Sequence, residues 1–156
     1  MLKDISHIAI AVNNLDRACA FYRDIMGGEI VNRHVMPQQK VEVAFVKFGG
    51  RTKIELLCPT EDDSPVGRYL AKHGPGLHHV CFRARTREDV DAAYEFLKSI
   101  GAKIVHPPEE GPWFPGYYSL LFEDPDGIRL ELNYVPMKGF LGNAPAQVAC
   151  EVYVLS

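Results

Sequence analysis

Four residues of this chain have the types and spacing to hold a divalent metal: His7, Glu55, His79 and Glu131. Each lies in a short apolar run that reads as a β-strand. His7 heads HIAIAV, His79 heads HVCFRA, Glu55 sits in KIELL and Glu131 in RLELN. They alternate His, Glu, His, Glu, with His-to-Glu separations of 48 and 52 residues, so the second half looks like a copy of the first. Two imidazoles and two carboxylates form a mixed N/O donor set. Such a set leaves about two positions of an octahedral ion for water or substrate, a catalytic rather than a structural arrangement. A substrate with two oxygens on the same or neighbouring carbons could chelate there, and an enolate or enediolate would be stabilised. A nearby carboxylate would move the proton.

One histidine near a strand start usually packs or hydrogen-bonds, and one glutamate on a strand usually faces solvent. Registration shifts that balance. Both histidines open equivalent first strands, and both glutamates lie mid-way in equivalent last strands, alternating with Ile54 and Leu56 or with Leu130 and Leu132. An inward carboxylate needs a cation. His78 competes with His79, but the repeat aligns His79 with His7, and neighbours on a strand face opposite ways. His34, His73 and His106 are expected in loops or at strand edges, with no counterpart in the other half.

The elements that must position these residues follow from periodicity. Residues 5–12 alternate as a strand, with Asn13, Asn14 and Asp16 as turn or cap residues. Leu15, Ala18, Cys19, Tyr22, Ile25 and Met26 recur at helical spacing until Gly27-Gly28 stops them. Strands are expected near 29–35, 41–48 and 53–58, the last two joined by a Gly49-Gly50 hairpin turn. The second half repeats the order. A strand from His79 leads to a helix with Val90, Ala93, Tyr94, Leu97 and Ile100 on its apolar side. Strands follow near 102–106, 117–123 and 128–134, the last two joined by DPDG. Ala18, Tyr22, Met26 and Gly27 match Ala92, Phe96, Ile100 and Gly101 at a constant offset of 74. The expected class is α+β: two β-α-β-β-β modules forming a curved mixed sheet around a metal site. The modules span 1–58 and 77–135, with a linker at 59–76 carrying a short helix around Val66 to Lys72. A C-terminal extension, 136–156, ends in AQVACEVYVLS, which has the pattern of one further strand.

Bulk properties exclude several classes. With 156 residues, 47% of them hydrophobic, the chain can bury a core as one domain or two fused modules. A net charge of -3 gives no pull toward nucleic acid or acidic lipid. The longest apolar runs are strand-sized, and MLKDISHIAI lacks the apolar stretch of a signal peptide, so a cytoplasmic location is expected. Cys19, Cys58, Cys81 and Cys150 form no C-x-x-C and read as buried thiols. No Ser-His-Asp set, P-loop or G-x-G-x-x-G supports acyl transfer, phosphoryl transfer or dinucleotide binding.

Over about residues 5–135 the chain resembles the vicinal oxygen chelate superfamily, which includes glyoxalase I, methylmalonyl-CoA epimerases and extradiol dioxygenases. HIAIAVNNLDRACAFYRDIMGG, KIELLCP and DSPVGRYLAKHGPGLHHVCF resemble the epimerases most. The resemblance implies metal ligation by His7, Glu55, His79 and Glu131, with Co, Mn, Ni, Zn or Fe as the ion. It implies proton transfer next to a carbonyl through a metal-stabilised enolate, with Glu131 as ligand and proton carrier. The substrate would be an acyl-CoA or thiol adduct, and the assembly a homodimer. Glyoxalase I-type lyase chemistry is the alternative. An extradiol dioxygenase would not require Glu55, and a non-catalytic antibiotic-binding relative would lack the ligand set. Two departures stand out. The resemblance places a second catalytic glutamate at about Val43, whereas the nearest carboxylate is Glu42, the reserve candidate for that base, which alternation puts on the opposite face unless the register shifts by one residue. The stretch PPEEGPWFPGYYSLLFEDPDGIRLELNY is not epimerase-like and resembles a generic member of the superfamily. Its Trp113, Phe114, Tyr117 and Tyr118 are expected to wall an apolar pocket or, with equal weight, to pack the open side of the sheet.

Overall fold

A computed structural model describes residues 2–111 and 116–136 of the chain. The expected strand at the end of the C-terminal extension, and Trp113, Phe114 and Cys150, lie outside the described residues. The class is α+β, and the chain divides into two compact units. One is His7–His78; the other combines the residues up to Ser6 with those from His79 onward.

In the first unit, β1 (Leu2–Ala11) leads into α1 (Leu15–Ala20), a π-helical turn (Phe21–Ile25), β2 (Glu29–Met36), β3 (Val41–Lys47), β4 (Lys53–Pro59) and α2 (Pro65–His73). The strands lie in the order β2-β3-β4-β1, with β4 parallel to β1 and the other pairings antiparallel. Alternation divides the sheet into two faces. Ile10, Val12, Ile30, Ala44, Val46, Ile54, Leu56 and Cys58 pack against Leu15, Ala18, Cys19 and Tyr22 of the helical segment. Asn14 caps α1, its side-chain oxygen accepting from the Arg17 amide at 2.8 Å. The opposite face carries His7, Ala9, Val43, Phe45, Glu55 and Leu57, as the registers Ala9↔Glu55, Phe45↔Glu55 and Val43↔Leu57 require.

The second unit has β5 (Gly76–Ala84), α3 (Arg87–Ser99), β6 (Ile104–Glu110), β7 (Tyr118–Glu123) and β8 (Arg129–Tyr134), with strand order β5-β8-β7-β6. Its helix face joins Ala84, Leu120 and Leu132 to Val90 and Ala93, with Phe82, Tyr94, Leu97, Phe122 and Tyr134 around them. Thr86 caps α3 through the Asp89 amide. The repeat extends to irregularities. The register shifts between Ile30 and Asn32 in β2 and between Ile104 and His106 in β6, at the same offset of 74. Gly27 and Gly101 both end their helical segments at φ 74°, where a side chain would be strained.

Several expectations change. Ile25 is 72% exposed, and Met26 and Ile100 at the ends of the helical segments are also exposed. The β3–β4 connection runs from Phe48 to Thr52, five residues rather than a two-residue turn. β6 begins at Ile104 and reaches Glu110 through Pro107 and Pro108; the edge position tolerates two residues without N–H groups. Cys19, Cys58 and Cys81 are free thiols, and burial pushes the Cys19 and Cys58 thiols up from their ordinary value. Among the described residues, no helix is long and apolar enough to cross a membrane.

Helix α2 gives a direct check of packing. Buried Ser64 caps it by accepting from the Gly67 amide at 2.9 Å, and a Cβ on Gly67 would lie 2.4 Å from the Asp62 carbonyl oxygen. Ser64→Ala is expected to cost about 1 kcal/mol of unfolding free energy. Gly67→Ala, whose methyl meets backbone, is expected to cost about 1–3 kcal/mol. Urea unfolding of both variants tests this; wild-type stability in Gly67→Ala would contradict the packing.

Candidate metal centre

The first unit places His7 near the middle of β1 and Glu55 on the adjacent parallel strand β4, both on the face turned away from α1. His7 Nε2 lies 3.4 Å from Glu55 Oε2, and the two residues are 2% and 8% exposed. The ring of Phe45 meets the imidazole edge-on, at 5.9 Å between centroids and 87° between planes. The second unit repeats the pair. His79 Nε2 lies 3.1 Å from Glu131 Oε2, again on neighbouring parallel strands, with exposures of 9% and 8%.

These separations can be weighed against a shared cation. Donors about 2.1 Å from one ion sit about 3.0–3.4 Å apart at neighbouring positions of an octahedron or tetrahedron. Each His/Glu pair therefore spans one edge of such a polyhedron without rearrangement. The alternative is a buried ion pair with protonated imidazole; the metal reading and the ion-pair reading both satisfy the carboxylate's need for positive charge.

The second unit adds groups that sequence periodicity did not single out. Tyr117 donates from its hydroxyl to Glu131 Oε1 at 2.5 Å, and Asn133 Nδ2 donates to the Tyr117 oxygen at 3.2 Å. One carboxylate oxygen thus meets His79 and the other a phenol. Burial, and then the charge of Glu131, push the Tyr117 hydroxyl well above its ordinary value, so it stays a donor. The two adjacent tyrosines serve opposite faces. Tyr118 points to α3, donating to Asp91 at 2.6 Å, with the Arg87 guanidinium 3.8 Å over its ring. Cys81 pairs with Glu131 in the β5–β8 register, and its Sγ comes within 4.8 Å of a Glu131 ligand atom. It is a third donor on that face, missed because a thiol in an apolar run reads as packing. In the first unit Val41 and Leu57 hold the places of Tyr117 and Asn133.

Four further residues need placing. Glu42 lies opposite Cys58 on the helix side of β3, where its carboxylate accepts from Arg33 Nε at 2.8 Å while Arg33 also reaches Asp16 at 2.6 Å. The register gives Glu42 no path to the Glu55 face, so the expectation that it acts as a base is withdrawn. Val43 is on the Glu55 face and fully buried. His78 is only partly buried and lies 4.8 Å from the Tyr69 ring of α2, turned from the direction His79 takes. His34 lies within β2 rather than a loop, directly across from Val43 and on the Glu55 face.

A family model described as the glyoxalase/bleomycin resistance protein/dioxygenase superfamily matches residues 4–132. The mitochondrial methylmalonyl-CoA epimerase of Homo sapiens is 39% identical over 95 residues, covering 60% of this chain and 52% of that protein. The ethylmalonyl-CoA/methylmalonyl-CoA epimerase of Cereibacter sphaeroides is 38% identical over 106 residues, covering 67% of this chain and 76% of that protein. A solved Streptomyces coelicolor methylmalonyl-CoA epimerase variant, in complex with 2-nitronate-propionyl-CoA, superposes with a TM-score of 0.74 at 33% identity, covering 86% of this chain and 98% of that one. The chain spans about half the length of the human relative.

The Tyr117–Glu131 bond has a measurable signature. Tyr117→Phe is expected to cost about 1–3 kcal/mol at neutral pH, because Glu131 Oε1 loses a buried donor. An unfolded tyrosine ionises at about pH 10, while Tyr117 in the folded chain keeps its proton to higher pH. Folded protein then binds more protons than unfolded, and the contribution of Tyr117 to stability falls as pH rises past about 10. The stability gap between wild type and Tyr117→Phe should narrow there. Urea unfolding at about pH 8 and pH 10.5 checks the sign.

Proposed function

This chain belongs to the glyoxalase/bleomycin resistance protein/dioxygenase superfamily, and from that premise we propose that it is a divalent-metal-dependent enzyme moving a proton next to a carbonyl, of the methylmalonyl-CoA epimerase kind. The observation that carries the reading is the duplicated buried pair, His7 with Glu55 and His79 with Glu131, each at the spacing of two donors on one ion. In this proposal His7, Glu55, His79 and Glu131 are metal ligands, with Co, Mn, Ni, Zn or Fe as the ion. The ion would supply Lewis acidity, lowering the cost of negative charge on the substrate carbonyl oxygen.

The chain's own residues then have distinct roles. His7 and His79 bind as neutral imidazoles, positioned by packing that includes the edge of Phe45 against His7. Glu131 is the proton carrier. Its Oε1 is oriented by Tyr117 and Asn133, which leaves Oε2 directed toward His79. The apolar residues Val43 and Phe45 keep water from the first unit's face, which strengthens electrostatic interactions there. The substrate is an acyl-CoA thioester whose α-hydrogen is acidified by the adjacent carbonyl.

A glyoxalase I-type lyase is the second reading, favoured by one feature: β3 presents Val41, Val43, Phe45 and Lys47 to the site face, with no carboxylate among them. A proton shift between neighbouring carbons on one face needs one carrier, whereas inversion needs one on each side of the carbon.

Two experiments test these proposals. His79→Ala is expected to abolish tight binding of Mn, Co, Ni or Zn while His78→Ala keeps it; equal metal content in both variants by elemental analysis would remove the ligand assignment. Metal-loaded protein is expected to incorporate deuterium from heavy water into methylmalonyl-CoA. Glu131→Gln should lower that rate by about 100-fold or more. A parallel methylglyoxal–glutathione assay decides between the readings, and exchange in neither substrate would defeat both.

A further inference from the structure

We propose that Tyr117 is a positioning residue that confines Glu131 to one-oxygen ligation of the divalent ion, so that a position on the ion stays open for a substrate oxygen. The inference rests on the metal-ligand reading above and concerns how one of those ligands is used.

Every residue involved belongs to the second unit. The two oxygens of Glu131 meet different groups. Oε2 lies 3.1 Å from His79 Nε2, a spacing suited to neighbouring donors on one ion. Oε1 accepts from the Tyr117 hydroxyl at 2.5 Å, the short length of a hydroxyl bonded to a charged carboxylate. His79 therefore directs an ion to Oε2. For both oxygens to bind it, the carboxylate must turn Oε1 toward the ion and away from the phenol. A charge-assisted bond of this length resists that turn.

The phenol is not free to follow the carboxylate. Tyr117 is 2% exposed, and Asn133, fully buried, donates from Nδ2 to its oxygen at 3.2 Å. The main chain is held as well. The Tyr117 carbonyl accepts from the Gly111 amide at 3.0 Å. Tyr118, the next residue, is anchored on the opposite face by Asp91 and Arg87. A donor fixed in this way sets the orientation of the ligand it touches. In the first unit Val41, whose side chain offers no donor, holds the corresponding place.

The number of oxygens used bears on the substrate. A carboxylate that takes two positions of an octahedral ion leaves one fewer for water or substrate. A substrate that chelates through two oxygens needs that position, and one that binds through a single oxygen does not. Tyr117 thereby favours acyl thioesters that carry a second oxygen within chelating distance of the carbonyl.

Three measurements on the metal-loaded full chain test the assignment, and none needs turnover. The first is the infrared difference between zinc-loaded and metal-free wild type. The carboxylate bands that Glu131→Gln removes are expected at the wide splitting of asymmetric and symmetric stretches that marks one-oxygen ligation. In Tyr117→Phe that splitting should narrow. With manganese bound, Tyr117→Phe is expected to lose one coordinated water, lowering the enhancement of water proton relaxation by roughly one third to one half. With cobalt bound and followed by its absorption, oxalate takes two positions and azide one. In Tyr117→Phe oxalate should weaken by about tenfold or more relative to azide. A merely structural role for Tyr117 would move both probes together. A narrow splitting in wild type overturns the proposal, even where Tyr117→Phe fails to fold. So does unchanged relaxation with an unchanged oxalate-to-azide ratio in Tyr117→Phe at wild-type metal content. A chain that takes up none of these metals defeats the ligand assignment and this proposal together. A chain that passes these tests but leaves methylmalonyl-CoA unchanged defeats the epimerase reading and upholds the role of Tyr117.

Discussion

A carboxylate buried in a sheet must be matched by positive charge or donated hydrogen bonds, and this constraint organises both halves of the molecule. Leaving Glu55 or Glu131 unpaired at 8% exposure would cost several kcal/mol. Each unit answers with the same device, a histidine on the neighbouring parallel strand with Nε2 within 3.4 Å of the carboxylate. Parallel pairing is what makes this possible. β1 with β4 and β5 with β8 run side by side, so residues far apart in sequence share one face at adjacent registers. The helix of each unit packs on the other face, and apolar burial continues on the site face of the first unit through Val41, Val43, Phe45 and Leu57.

The duplication is close in backbone and uneven in chemistry. Register shifts recur at the same offset in β2 and β6, and the helical segments end on glycines of equal φ. The site faces differ. Glu131 receives a phenol that is itself held by Asn133, whereas the corresponding places beside Glu55 hold Val41 and Leu57. A carboxylate with one oxygen fixed by a neutral donor has a defined orientation. The division of Tyr117 and Tyr118 between two faces shows how narrow the margin is: a one-residue slip would exchange the Glu131 donor for the Asp91 partner.

Arg33 and Glu42 show the same alternation excluding a group from the site. Their ion pair, extended to Asp16, lies on the helix side of β2 and β3 and is well exposed to solvent, so it contributes little to stability. Its neighbours in sequence, His34 and Val43, face the other way.

Much of this was legible in the chain alone. Period-2 and period-3.6 patterns, glycine stops and the offset of 74 established two β-α-β-β-β modules, because local burial patterns repeat wherever local structure repeats. The order His, Glu, His, Glu within that repeat singled out both buried pairs. Strand alternation alone also put Glu42 on the face opposite to Val43. What periodicity could not decide was which residues stand across from each other on different strands, since register depends on turn lengths and bulges that leave weak marks in sequence. Tyr117, Asn133 and Cys81 became neighbours of Glu131 only through the β5–β8 and β7–β8 registers, and His34 came to face the Glu55 side only through the bulge in β2. The sequence by itself determined which residue types the two faces would carry; tertiary pairing decided which of them meet, because a hydrogen bond is made at 3 Å and a repeat is read at a distance of 74 residues.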